Sequence, residues 1–342
     1  MYPCRGYEYL YPQGAPMKKY SIILGNLGNT CDRFLSSGYK ESLDKDVMLE
    51  QAASIDGVSG IELVGTWDVT KETASAMKKK LASRKLKCAS IIPDLFSQKR
   101  WGKGSLSSAD ASIRTQALDE MKAAVDMAHD MECDMLTVWP GQDGYDYCLA
   151  ADYMEERQWL IDGVRTAAQY AKQKGVRLAL EYKMKEPRTH SYLARAADTL
   201  LVAMETGMDN VGVAIDTGHA FLAYENVAES IAILSRAGKL YHMHFNDNYS
   251  SWDDDMIVGS VRLIEYFEMM FWLEKTGYNG WYSMDQYPYR EDGCEAVRSS
   301  VLFVQRMQSI LERVGKAAVE ALIKKRDPVA VAAFIRENLI AH

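Results

Sequence analysis

The chain has 342 residues, of which 48% are hydrophobic, 25% charged and 10% aromatic, with only 8 prolines. This profile excludes a disordered, collagenous or low-complexity chain, and the length suffices for a large buried core. Lys and Arg total 40 against 47 Asp and Glu, a net charge of −7. No long basic cluster offsets it, so neither nucleic acid nor an anionic membrane is an expected partner.

The N-terminal residues 1–16, MYPCRGYEYLYPQGAP, lack the charged-then-apolar order of a signal peptide. They read as an arm, either packed on a neighbouring subunit or standing upstream of a start at Met17. From Met17 onward, short β-type runs alternate with long helical patterns. Strands are predicted over Ser21–Leu24, Gly60–Val64, Lys87–Ile92, Asp134–Val138, Arg177–Glu181, Val211–Ile215, Leu240–His244 and Gly280–Met284. Amphipathic helices are predicted between them, as at Asp110–Met131 and Glu155–Lys174, and Gly175, Gly207 and Gly277 stand where helices should end. Such alternation implies a parallel sheet with crossover helices, and eight strands is the number that closes it into a barrel. An open doubly wound sheet fits less well, because Gly25-Asn26-Leu27-Gly28-Asn29 lacks the dinucleotide-binding glycine spacing. The expected fold is α/β, a (β/α)8 TIM barrel over residues 17–315. A helical extension over 316–342, broken near Asp327-Pro328, is suited to a subunit contact or to capping the barrel's outside.

The six cysteines, Cys4, Cys31, Cys88, Cys133, Cys148 and Cys294, include no C-x-x-C pair. Reduced thiols in a cytoplasmic protein are the plain expectation. No apolar run approaches the ~18 residues of a membrane span.

In a TIM barrel the reacting groups project from the C-terminal ends of the strands. The fifth predicted strand ends in Glu181 and Lys183, the sixth in Asp216-Thr217-Gly218-His219, the seventh in His244 and Asn246, and the eighth in Asp285. A carboxylate buried at a strand end is costly unless paired or bound to a metal. Taken singly, Glu181 reads as a loop brace, Asp216 as a helix cap and His244 as a core histidine. Four in register at one rim read better as ligands of a divalent cation. His242 is read as a core histidine facing away from His244. The acidic triplet Asp253-Asp254-Asp255 suits the start of a helix near Ser260. It also suits a second cation site, with Asp253 and Asp255 joined by Asp216 and His219.

These residues resemble the xylose isomerase-like TIM barrel superfamily, and within it the two-metal aldose isomerases of the rhamnose isomerase type. The matching pieces are Glu181-Tyr182-Lys183 with Glu186-Pro187, Asp216-x-x-His219, His244-Phe245-Asn246, Asp253-Asp254-Asp255 with Val258-Gly259, and Asp285. The resemblance implies a structural cation held by Glu181, Asp216, His244 and Asp285. It implies a catalytic cation completed by His219, Asp253 and Asp255, with Asp216 bridging. Oxygen and imidazole donors suit Mn²⁺, with Mg²⁺ and Co²⁺ as alternatives. The implied chemistry is aldose–ketose interconversion of an open-chain sugar by hydride transfer between C2 and C1, with Glu181 and Asp285 in the reacting centre and Lys183 donating to the C1 oxygen.

Trp139 and Trp67, ending or following the fourth and second strands, are expected to wall the sugar pocket. Asp94, Asn26 and Asn246 are expected to bond its hydroxyls. One feature departs from the family: no histidine ends the first three strands, since His129 alone lies in that half. Ring opening then falls to Asp94 or Asp68 with a water, or to solution. The main rival is a single-metal keto-sugar 3-epimerase or related lyase that moves a proton with Glu181 and Asp285. A basic-grooved endonuclease is disfavoured by the acidic balance, and a silent sugar-binding or assembly subunit by the intact ligand set. The expected partners are a small sugar and further copies of the chain, as a dimer or tetramer.

Overall fold

The computed structural model describes residues 18–340; the arm expected over 1–16 lies outside them. Eight parallel strands close into a barrel: β1 (Lys19–Ile23), β2 (Val58–Val64), β3 (Lys87–Ile92), β4 (Met135–Val138), β5 (Arg177–Glu181), β6 (Val211–Asp216), β7 (Leu240–Phe245) and β8 (Trp281–Met284). Each strand pairs with its sequence neighbours, and β8 returns to β1 through Ser21 opposite Ser283. A small antiparallel ribbon outside the barrel, Gly144–Tyr145 with His190–Ser191, ties the loops after β4 and β5 and was not anticipated.

Period-two alternation sorts each strand's side chains. Ile61 and Leu63, Leu136 and Val138, Leu178 and Leu180, Val213 and Ile215, and Met243 and Phe245 are buried in the large apolar core beneath the helices. The alternate positions fill the barrel's interior with small or polar groups: Ser90 bonds Thr137 at 2.7 Å, and Thr137 lies 3.5 Å from Glu62. Nearer the mouth, Ile23, Val64 and Ile92 form a separate apolar cluster with Phe96 against it.

The crossover helices include α1 (Lys45–Ala53), α2 (Ala74–Ser83), α3 (Ala111–Asp130), α4 (Tyr153–Gln173) and α5 (Ala196–Glu205). After β6 come α6 (Thr217–Leu222) and α7 (Val227–Arg236), and then α8 (Ile264–Thr276) and α9 (Gly293–Val314). Side-chain caps begin several of them: Asp110 accepts from Ser112 N, Asp152 from Met154 N and Glu155 N, and Asp292 from Glu295 N. At the other end Gly175, Gly207 and Gly277 take left-handed backbone, as their places in the sequence predicted.

The tail is α10 (Lys316–Lys325) and α11 (Pro328–Ile335), interrupted where Asp327 caps α11 ahead of Pro328. It docks on the barrel's outer helices: Lys316 reaches Glu274 at 3.2 Å, Lys275 reaches Glu320 at 3.1 Å, and the Phe334 and Phe267 rings lie 5.8 Å apart. The described cysteines Cys31, Cys88, Cys133, Cys148 and Cys294 are all unbridged. Among the described residues, no helix is long and apolar enough to cross a membrane.

Candidate metal centre

The C-terminal ends of β5 to β8 bring Glu181, Asp216, His244 and Asp285 together. All four are buried, and one ligand atom from each lies within 4.8 Å of the others. Strand register sets this up, because Asp216 stands opposite His244 on β7 and His244 opposite Ser283, two residues before Asp285. His244 Nδ1 is 3.0 Å from Asp285 and 3.4 Å from Glu181. A second buried group shares Asp216 and adds His219 and Asp253. In it His219 Nε2 is 3.1 Å from Asp253, and its Nδ1 is 3.2 Å from Glu181.

Asp216 has two tasks. Its Oδ1 caps α6 by accepting from His219 N at 2.8 Å, and its Oδ2 accepts from the Asn246 amide at 2.8 Å. Asn246, anticipated as a sugar contact, is therefore fully buried behind Asp216 and aims it. Gly218 allows this approach, since a Cβ there would overlap Asn246 Oδ1.

The electrostatics are those of a site built for positive charge. Burial raises the carboxyls, but the His244 and His219 imidazoles outweigh it at Glu181 and hold that group at about 2. At Asp216 burial prevails, assisted by Asp285, Asp253 and Glu181, and the group rises to about 7. Burial also raises Asp285 despite the His244 imidazole beside it. For His244 burial favours the neutral form, yet Glu181, Glu62 and Asp285 carry it well above the ordinary histidine range. Three buried atoms of these two groups, His219 Nδ1, His244 Nδ1 and Asp253 Oδ1, have no hydrogen bond. Carboxylates lie near both ring nitrogens, but at angles that make no hydrogen bond. Orphaned imidazole nitrogens converging with carboxylate oxygens fit a divalent cation.

Lys183 is also buried, with Nζ 2.8 Å from Asp253 and 2.6 Å from Glu186. Burial disfavours its charge, but Asp253, Glu186 and Asp255 keep it ionised, above the usual lysine range. Lys183 in turn pulls Asp253 down against burial. Asp255 is half-buried beyond the second group and is not gathered into it; burial and the neighbouring Asp253 raise its carboxyl well above the usual range. The expectation of a helix start near Ser260 is corrected. The triplet lies in a loop closed by an Asp247–Met256 bridge, and the next helix begins only at Ile264. Arg262, ion-paired with Asp247 at 2.9 Å, braces that loop.

The wall of the mouth is aromatic. Phe96 stands between Trp67 and Trp139, its ring 5.5 and 4.9 Å from theirs, and Lys183 Nζ lies 5.4 Å from the Trp139 ring. Trp67 is 46% exposed at the rim. Asp94 is fully buried and accepts from Thr66, Ser97 and Gln98, so it braces the loop after β3. Asn26 is buried, donating to Met284 O at 2.7 Å.

Two residues around the site escaped sequence reasoning. Glu62, on β2, receives His242 Nε2 at 2.7 Å and His244 Nε2 at 3.3 Å. This corrects the view of His242 as facing away from His244: two residues apart on one strand, both rings point into the barrel. The available signal was a lone glutamate within Ile61-Glu62-Leu63-Val64. Phe96 was also missed; its place two residues beyond Asp94 was the only pointer.

The sequence profile of the xylose isomerase-like TIM barrel family matches residues 49–307. A xylose isomerase of Thermus thermophilus is 26% identical over 314 residues, covering 88% of this chain and 81% of its own. That of Thermus caldophilus is 24% identical over 336 residues, covering 92% and 87%. Among solved structures, an L-ribulose 3-epimerase superposes with a TM-score of 0.68 at 18% identity, over 87% of this chain and 96% of its own. A D-psicose 3-epimerase gives 0.65 at 17%, over 85% and 99%.

Proposed function

The chain belongs to the xylose isomerase-like TIM barrel family, and from that membership we propose that it is a divalent-metal-dependent sugar isomerase, interconverting an open-chain aldose and its ketose by hydride shift. The convergence of Glu181, Asp216, His244 and Asp285 with three orphaned buried donor atoms carries the reading. Those four residues would hold one cation. Asp216, His219 and Asp253 would hold a second, with Asp255 drawn in from its half-buried position. When bound, the cations supply Lewis acidity to two adjacent sugar oxygens, which lowers the barrier to hydride transfer between C2 and C1. The chain's own residues do the rest. Lys183 carries a fixed positive charge at the rim and donates to the C1 oxygen. Trp139, Phe96 and Trp67 keep water from the reacting carbons. Asn26, whose buried Oδ1 has no hydrogen-bond partner, would bond a sugar hydroxyl. A cytoplasmic homo-oligomer, assembled through the terminal extensions, belongs to the same proposal.

One observation favours a second reading, a single-metal keto-sugar 3-epimerase that moves a proton with Glu181 and Asp285. Lys183, 2.8 Å from Asp253, already neutralises one carboxylate of the second group.

Turnover of a panel of aldoses and ketoses in D₂O with Mn²⁺ separates the two. Hydride shift interconverts aldose and ketose and keeps solvent deuterium out of the carbon-bound positions. Epimerisation deposits it at C3. Calorimetric titration of the cation-free protein with Mn²⁺ is expected to give two sites, the weaker one lost in Asp255→Ala. A single site indifferent to that change would favour the epimerase.

A further inference from the structure

The carboxylate of Glu62 sits in the barrel's interior, on β2, a strand that supplies none of the proposed ligands. It is fully buried, as is His244, and its oxygens are divided between two imidazoles of β7. Oε1 takes Nε2 of His242 at 2.7 Å, and Oε2 takes Nε2 of His244 at 3.3 Å. The other nitrogen of His244, Nδ1, is the one turned toward Glu181 and Asp285 and left without a hydrogen bond. A ring nitrogen that donates its proton to a carboxylate leaves its partner nitrogen as the free lone pair, and the carboxylate fixes the ring's rotation.

We infer that Glu62 is a positioning residue for the metal centre: anchored by His242, it holds His244 in the Nε2–H form with Nδ1 presented to the cation. The inference rests on the proposed function only in taking His244 as a ligand. Glu62, His242 and His244 are themselves close enough to suggest a cation between them. Both nitrogens instead face the carboxylate at hydrogen-bond separations, and among the described residues no other His, Cys, Asp or Glu joins the group. The trio is a hydrogen-bonded clamp. His242 has no direct part in presenting Nδ1; it stops the Glu62 carboxylate from turning.

Titration of three full-length proteins with Mn²⁺, alongside their cation-free melting temperatures, tests this. Glu62→Gln is expected to weaken the tighter Mn²⁺ site by ~10–100-fold. His242→Gln, which keeps an N–H for Glu62, is expected to stay within about threefold of the parent by the same hydrogen-bond logic. A role confined to stability would make affinity fall with melting temperature in both variants, and that pattern overturns the inference. Equal affinity in Glu62→Gln and the parent overturns it as well and leaves the proposed function intact. A parent that binds no Mn²⁺ overturns both. Should Glu62→Gln fail to fold, ¹⁵N-histidine spectra of the Mg²⁺-loaded parent decide. His244 carrying its proton on Nε2 supports the clamp, and a proton on Nδ1 overturns it.

Discussion

Asp68 follows β2 and accepts one backbone N–H, from Val64 at 2.9 Å. Burial lifts its carboxyl to about 6, against weaker pulls from that bond and from Lys45. The folded chain thus binds the Asp68 proton more tightly than the unfolded chain, whose carboxyl titrates near 3.8. Between those values folding takes up a proton, so this residue's contribution to stability falls as pH rises from about 4 to 6. Asp68→Asn keeps the acceptor for Val64 and removes the ionisation. Urea denaturation is expected to show the variant more stable than the parent at pH 7.5, by at most ~3 kcal/mol, with the difference gone by pH 4. At this scale the sequence disclosed residues that stand at strand ends, because a glutamate, two aspartates and a histidine there interrupt apolar runs at one rim. Glu62 and His242 were not legible as partners. They lie inside strands separated by 180 positions, and only closure of the barrel brings their side chains within hydrogen-bond reach.

The turn from β6 into α6 packs three functions into Asp216-Thr217-Gly218-His219. Asp216 caps the helix, Thr217 donates to Asn246 O at 2.7 Å, and Gly218 leaves room for the Asn246 amide that aims Asp216. Gly218→Ala is expected to push Asn246 off Asp216 and weaken Mn²⁺ binding by ~10-fold or more. Circular dichroism should show the barrel retained; unchanged affinity would mean that Asn246 does not govern Asp216. Strand positions were readable because each strand's outward face is apolar and turn residues punctuate the chain. The Arg177–Glu181 and Lys87–Ile92 strands fall where periodicity put them. The Asp253–Asp255 segment was less readable. An acidic run ahead of a helical pattern looks the same whether it starts the helix or is folded back by a distant pairing such as Asp247 with Met256.

Over the whole molecule, the tail stands outside the strand circuit and contributes through its docking on α8 and α9. Truncation after Val314 removes the Lys316–Glu274 and Lys275–Glu320 pairs and the Phe334 contact with Phe267. Exposed ion pairs are worth up to about 1 kcal/mol each and a packed aromatic somewhat more. The truncated chain is expected to melt a few degrees lower while binding Mn²⁺ as the full chain does. A collapse of cation binding would show instead that the tail supports the mouth. Sedimentation of both forms reports whether the tail joins copies of the chain.

The distribution of the proposed ligands along the chain has a consequence for how the protein is made. Glu181, Asp216, His244 and Asp285 leave the ribosome in that order, and Asp285 follows the strand that must find β1 before the sheet can close. Until then the nascent chain offers scattered carboxylates and imidazoles but no assembled centre. Capture of a cation by the proposed centre would consequently be a late event, tied to the last strand's arrival, and cation occupancy would report a closed barrel.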